Sequence, residues 1–423
     1  MKKYILVLII ILLKLFNITA QDVVPFKHYN ISFEEYLDLV KTNNLEFAAE
    51  KLNISIADAA IEAAKVFNDP FLSFDVTSDS ENSLRTGYGF SSELVKSIDL
   101  GGERRARVDL SRSEKDLTTA LVEDYLRNLK ADATLYYLEA MKHRQLFLVR
   151  YNSYQSMKKL AEADSIRFKL GSIKEIDAIQ SRLETGILRN ELIHAISEWK
   201  NSLWDISVLA GTAKKDTLFL PSTVIHDISR VFDLNNLITE ALNNRSDLQA
   251  ALLNKEVSKK AFRLVKKERN TDIDLKVGFS NSYLIGGGAP AATGMTAGIA
   301  MPLRFSNIYK GDIKMAEVRI EQAENLFDFA ELKIRSEITQ AWEYYIDYSN
   351  QVENFNKELL ENAENVRKGK IYSYQRGETS LLEVLNAQRT FNEIQTTYYE
   401  TLFHQAASLV ELERAAGIWD INF

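Results

Sequence analysis

FEEYLDLVKTNNLEFAAEKLNISIADAAIEAAKVFNDPFLSFDVT, from Phe33 to Thr77, and LNNLITEALNNRSDLQAALLNKEVSKKAFRLVKKERNTDIDLKVG, from Leu234 to Gly278, are two versions of one text. At an offset of 201 they align for about 45 residues without a gap. Leu37 meets Ile238, Asn43 meets Asn244, Asn53 meets Asn254, Ile56 meets Val257 and Ala60 meets Ala261. Leu72, Phe74 and Val76 meet Ile273, Leu275 and Val277. Identities are few, but the apolar positions agree. A period of about 200 residues is far too long for a solenoid, so the chain reads as two similar halves of one body.

Each half has the order helix, strand, loop, strand, very long helix, sharp turn, helix. In half one the first helix is predicted from about Ser32 to Val66, opened by a capping box of Ser32 with Glu35 and stopped by Asn68-Asp69-Pro70. Alternation follows. Leu72, Phe74 and Val76 oppose Ser73, Asp75 and Thr77, and across a polar turn Leu84, Thr86, Tyr88 and Phe90 oppose Arg85, Gly87, Gly89 and Ser91. Period two on both sides of a turn predicts a hairpin. Half two repeats it. Ile273, Leu275, Val277 and Phe279 precede a loop with Gly286-Gly287-Gly288; Met295, Ala297, Ile299, Met301 and Leu303 continue the alternation after it, and Pro302 is expected to close the strand.

Gly101-Gly102 and Gly311 introduce the long helices. Glu103 to Lys169 contains no proline or glycine, and Asp312 to Arg376 contains only Gly369. About 65 residues at 1.5 Å each reach roughly 100 Å, and their three-four apolar spacing demands partner helices along the length. Gly171 and Gly377 end these helices, now at an offset of 206, and return helices run to about Leu209 and Ala415. Lys214 to Asp233 reads as an irregular connector containing Pro221.

Composition narrows the function. Net charge is −7, and the basic runs Lys259-Lys260 and Lys266-Lys267 are short and broken by acids, which argues against duplex nucleic acid. There is no cysteine, so disulfides, thiolate catalysis and a lipid-modified N-terminal cysteine are excluded. The five histidines show no metal-ligand spacing, and no carboxylate pair stands out as an acid/base dyad. Gly286-Gly287-Gly288 lacks the Lys-Ser/Thr of a phosphate loop and lies between strands, so it reads as a flexible loop. Lys2 and Lys3, the apolar run from Ile5, and Ala20 read as a secretory signal peptide, residues 1–20, with a membrane anchor as the alternative.

Strands of about ten residues with one apolar face suit a transmembrane barrel, yet four strands cannot close one, and open edges are not tolerated in lipid. Either the hairpins sit in a soluble sheet or several copies assemble.

The order of elements, Val40-Lys41-Thr42-Asn43-Asn44 with its counterpart Ala241-Leu242-Asn243-Asn244-Arg245, Leu100-Gly101-Gly102 before a long helix, and both Gly-centred turns resemble the TolC family of outer-membrane efflux factors over nearly all of the mature chain. The resemblance implies a mainly α fold with a transmembrane β-barrel: a homotrimer whose three chains of four strands build a 12-stranded barrel in outer-membrane lipid, above a periplasmic α-barrel. It implies a first repeat over 21–211, an equatorial connector over 212–233, a second repeat over 234–417 and a tail over 418–423. It implies a passive channel, no catalysis and no cofactor. Its partners would be a periplasmic adaptor and an inner-membrane efflux pump or ABC transporter. By the same resemblance, Leu170, Gly171 and Ser172, with Arg376, Gly377 and Glu378, would meet the adaptor at the periplasmic tip. Asp177, Gln180, Tyr374, Glu383 and Asn386 would line a gate just inside it. The family's Gly-x5-Asp-x2-Asp pattern has amides in place of its second acid here, at Gln180 and Asn386. Three Glu383 carboxylates close together would raise one pKa by like-charge repulsion and favour cations. Tyr374 and Asp177 would hydrogen-bond across adjacent helices and hold the channel closed. Against this stand a non-channel coiled-coil protein of the envelope, which needs no lipid-facing strands, and a secreted enzyme, for which no constellation exists.

Overall fold

A computed structural model of the chain describes residues 26–80, 86–212, 218–223, 228–285, 292–303, 309–355 and 358–421. The signal-peptide reading and the Gly286-Gly287-Gly288 loop lie outside the described residues. In chain order the elements are β1 (His28–Ile31), α1 (Phe33–Asn43), α2 (Leu45–Lys65), β2 (Phe71–Ser80), β3 (Thr86–Ile98), α3 (Glu103–Lys169), α4 (Glu175–Leu209) and β4 (Leu218–Pro221). The second half supplies α5 (Leu234–Asn244), α6 (Ser246–Glu268), β5 (Ile273–Ile285), β6 (Ala292–Ala300), α7 (Tyr309–Asn354), α8 (Glu358–Gln375) and α9 (Leu381–Ala416).

Contacts divide the chain into two compact units, each drawing on both halves of the repeat. One, Ala49–Tyr125 with Thr239–Ser336, holds an antiparallel sheet of order β2-β3-β5-β6. Its register puts Leu72 opposite Leu94, Leu94 opposite Val277 and Leu275 opposite Ile299, so apolar side chains from all four strands share one face. These side chains are bare: Phe74 is 65% exposed, Val277 55% and Met295 82%. On the other face Lys276 pairs with Glu93 at 3.4 Å and the Ser97 hydroxyl donates to Asp274. The two faces are inverted relative to a soluble sheet, which hides its apolar side. Among the described residues, no helix is long and apolar enough to cross a membrane. Beside the sheet, Lys115 of α3 pairs with Asp58 of α2 at 2.7 Å, and Lys255 of α6 with Glu324 of α7 at 3.1 Å.

The other unit, Met1–Ala48, Leu126–Ile238 and Glu337–Phe423, holds α1, α4, α8, α9 and the C-terminal parts of α3 and α7. Its core includes Trp199, stacked on Phe147 with centroids 5.0 Å apart, and Tyr36 stacked on Tyr137 at 5.5 Å.

Three expectations are corrected. The helix read from Ser32 to Val66 is two helices, because Asn44 adopts an extended conformation (ψ 120°). Its side chain accepts from the Phe47 amide at 2.8 Å, starting α2, and donates to the Leu209 carbonyl at 3.1 Å. An asparagine can close one helix and cap the next without any proline or glycine to announce it. Arg245 takes the equivalent place between α5 and α6 (ψ 124°) and pairs with Asp247 at 2.6 Å. The second long helix is also divided. It ends at Asn354, and the Phe355 amide is shared between the Gln351 and Val352 carbonyls. Asn350 and Asn354 lie in its last turns, and asparagine is a weak helix former that competes for its own backbone. The connector is not wholly irregular, since β4 pairs in parallel with β1, His28 opposite Leu218 through Ile31 opposite Pro221.

The connector is clamped onto the last helix. The Tyr345 hydroxyl donates toward the Ile228 and Arg230 carbonyls at 3.0 and 3.1 Å. Arg230 reaches Glu413 at 3.0 Å and Asp420 at 2.5 Å. Glu413 is fully buried. Burial, reinforced by Asp420, outweighs the shared Arg230 and pushes its carboxyl up to about 8. A raised carboxyl pKa favours the fold while the group is protonated, so this contribution is complete below about 4.5 and is lost as pH rises to about 8. Glu413→Gln, neutral and still able to accept from the Asp420 amide, is therefore expected to raise thermal stability at pH 8 and leave it nearly unchanged near pH 5. Equal destabilisation at both pH values, read by thermal unfolding, would show that the group acts as a charged partner of Arg230.

Candidate functional site: the glycine-turned helix tips

Gly171 and Gly377 end α3 and α8 in the left-handed region, with φ of 72° and 80°. Each tip closes with paired reverse hydrogen bonds. Gly171 N donates to Phe168 O at 2.9 Å and Ser172 N to Arg167 O at 2.8 Å, while Gly377 N donates to Tyr374 O at 3.0 Å and Glu378 N to Ser373 O at 2.9 Å. That bond pair satisfies carbonyls the helix end would leave open, and positive φ makes glycine the natural occupant. A Cβ on either glycine would meet nothing within 4 Å. The turns are thus open to an approaching backbone. Around them the first tip exposes apolar side chains: Leu170 is 75% exposed and Ile176 62%. The second matches it with Leu382, 58% exposed at the position equivalent to Ile176. Arg376 lies over the Tyr372 ring and near Glu378, at 3.7 Å.

Behind the tips the four helices meet in an apolar cluster of Met157, Leu160, Leu188, Tyr374, Leu381, Val384 and Leu385. Polar links tie the first-half pair, α3 and α4, to the second-half pair, α8 and α9. The Tyr374 hydroxyl donates to Asp164 at 3.2 Å, with Arg167 3.5 Å from the same carboxylate and stacked over the Tyr374 ring. Arg389 reaches Glu184 at 3.0 Å. Ser153 donates to the Asn392 carbonyl oxygen at 2.6 Å, which also accepts from Gln388 at 2.8 Å. Burial raises the pKa of both Asp164 and Tyr374.

One expectation about the gate changes here, and a second side chain gains a partner. Tyr374 bonds Asp164, not Asp177. Asp164 is fully buried on α3, seven residues before Gly171, whereas Asp177 is half-buried on α4 and acts on the pair as a nearby negative charge. Glu383 is not a bare carboxylate. Within the chain, Lys370 donates to it at 2.5 Å and, with Thr379, holds its pKa below the ordinary range. Its amide is also capped by the Ser380 hydroxyl at 3.4 Å, so Ser380 and Glu383 form a helix start that their spacing alone could have revealed. Gln180 and Asn386 are exposed on α4 and α9. Lys370, Asp164, Arg167, Glu184 and Arg389 were missed because their partners lie on other helices.

The chain combines a four-stranded sheet with a bare apolar face and two long, glycine-turned helical hairpins. Residues 237–418 match the family model for outer membrane efflux proteins. The chain is 20% identical over 395 residues to the cobalt-zinc-cadmium resistance protein CzcC of Cupriavidus metallidurans, covering 92% of this chain and 90% of that one. Its fold is similar to that of CusC, with a TM-score of 0.73, 15% identity and coverage of 91% and 92%. It is also similar to the Campylobacter jejuni CmeC outer membrane channel, with a TM-score of 0.73, 15% identity and coverage of 91% and 85%. The family match falls on the second half, and the first half repeats the order of elements found there.

Proposed function

We propose that three copies of this chain form a passive exit duct in the outer membrane, reaching into the periplasm and coupled through a periplasmic adaptor to an inner-membrane transporter. The observation that carries it is the exposed apolar face shared by all four strands. Such a face is stable in lipid, and its two open edges, β2 and β6, require neighbouring chains. Three chains of four strands give 12, within the range of closed barrels. The same face disfavours a coiled-coil envelope protein, which has no use for it. The mature chain then comprises the repeats 21–211 and 234–417, the connector 212–233 and the tail 418–423, after removal of residues 1–20.

The tips carry the coupling. The turns at Leu170-Gly171-Ser172 and Arg376-Gly377-Glu378 dock the adaptor, and Asp177, Gln180, Glu383 and Asn386 stand just inside. No catalytic step is part of this reading; energy comes from the transporter. Since the curated relative is a cobalt-zinc-cadmium resistance protein, divalent metal cations are the first substrates to assay.

Migration of the protein as a heat-modifiable trimer in outer-membrane fractions tests the assembly, and a monomer in soluble periplasm would refute it. For docking, Leu170→Asp places an unpaired charge in an apolar contact. It is expected to lower export on the order of tenfold or more, with the trimer intact. Full export by Leu170→Asp would remove this turn from the interface.

A further inference from the structure

At the helix-side end of the strands, inside the sheet-bearing unit, lies a cavity of about 750 Å³. Its walls come from the end of β3, the first turns of α3, the last turns of α6, and Phe67. Seven lysines and arginines line it against two carboxylates, Asp99 and Asp109. Asp99 is already committed. It accepts from the Gly102 and Arg104 amides at 2.7 and 2.9 Å and so caps α3 itself. Lys96 donates to the Asn68 carbonyl at 2.5 Å, and Arg104 lies 4.1 Å over the Phe67 ring. Arg105, Arg263 and Lys267 are exposed, and none makes an ion pair among the described residues.

The position of this basic belt gives it meaning. Lys96 and Ile98 alternate with Val95 and Ser97, so they share a face with Leu94, Val277 and Leu275, the face that meets lipid. The belt therefore begins where the apolar band ends. β3 and β5 are the inner strands of the sheet, so the cavity is away from the edges that must pair with other chains. Phe67, Ile98 and Leu100 add apolar surface among the cations, and Leu100 is 63% exposed. Long basic side chains that rest their stems on apolar surface and hold their charge at its border suit a membrane interface.

We propose that this cavity binds the phosphate headgroup of an anionic phospholipid in the periplasm-facing leaflet, with the acyl chains lying along the apolar sheet face. The proposal rests on the outer-membrane placement above. Exposed cations are where screening by salt is strong, so the attraction must fall with ionic strength.

The test uses the full-length protein purified in detergent and titrated with fluorescent phosphatidylglycerol or phosphatidylcholine. Phosphatidylglycerol is expected to bind roughly tenfold tighter or more at low salt, a preference abolished at about 0.5 M salt. Arg105→Gln with Arg263→Gln and Lys267→Gln should bring it to the phosphatidylcholine level, and each single substitution should weaken it severalfold, which covers failure of the triple variant to fold. Equal affinity for both lipids, or an undiminished preference in the variants, overturns the proposal. Full displacement by millimolar inorganic phosphate would overturn it in favour of a free-anion site. A heat-stable trimer without the preference defeats this proposal alone, and a monomer that keeps the preference defeats the channel reading alone.

Discussion

Gly211→Ala is expected to cost about 3 kcal/mol or more, and Gly171→Ala only about 1 kcal/mol, although both glycines end first-half helices with positive φ. The backbone term is shared, since φ is 65° at Gly211 and 72° at Gly171. Their surroundings differ. A Cβ at Gly211 would lie 2.2 Å from the Asn43 carbonyl oxygen and 2.8 Å from its carbon, whereas one at Gly171 meets nothing. The obstacle is backbone at the end of α1, where Asn44 also binds the Leu209 carbonyl, so neither side can retreat without loosening the other. Heat resistance of the assembled protein and its yield in membrane fractions measure the effect. Equal losses in the two variants would mean that the close approach at Asn43 is unimportant.

Tyr374→Phe combined with Asp164→Ala is expected to open the resting channel. A buried hydrogen bond to a charged group contributes about 2 kcal/mol, so removing it from a closed state shifts the open-to-closed ratio roughly 30-fold. The link joins α8 to α3, one helix from each half, so on the channel reading it brakes relative movement of the two helix pairs. Glu184 with Arg389, and Ser153 with Asn392, brace the same boundary and limit the effect of any single loss. Single-channel conductance in planar bilayers gives the readout. A double variant that conducts like the parent would sink the brake, while the same change at Asp177 is expected to be the weaker one.

Much of the fold was legible because periodicity and punctuation agree. Glu103 to Lys169 carries no breaker and forms one helix over that span, and Pro302 follows β6 by two residues. Alternation from Leu72 onward gave the strands and their faces directly. The misses share a cause. Asn44 interrupts a helix through its side-chain hydrogen bonds, which have no periodic signature. β1 and β4 are four residues each, too short to display a period, and they pair across nearly the whole first half. At the tips, the glycines announced themselves by position, but the polar links did not. Asp164 and Asp177 are both on helices near Tyr374, and which one faces it depends on how neighbouring helices are rotated. Lys370 sits 13 residues before Glu383 across a turn, a spacing no single-helix rule connects.

The bare edges of β2 and β6 have a consequence for inheritance and for mixing. In the proposed trimer each edge is completed by another chain, so no molecule can be finished alone, and lipid punishes any gap with unpaired backbone groups. The unit that succeeds or fails is then the ring rather than the polypeptide. A chain with a damaged edge does not merely drop out; it takes its neighbours with it, and a defective copy made beside a sound one will behave as dominant.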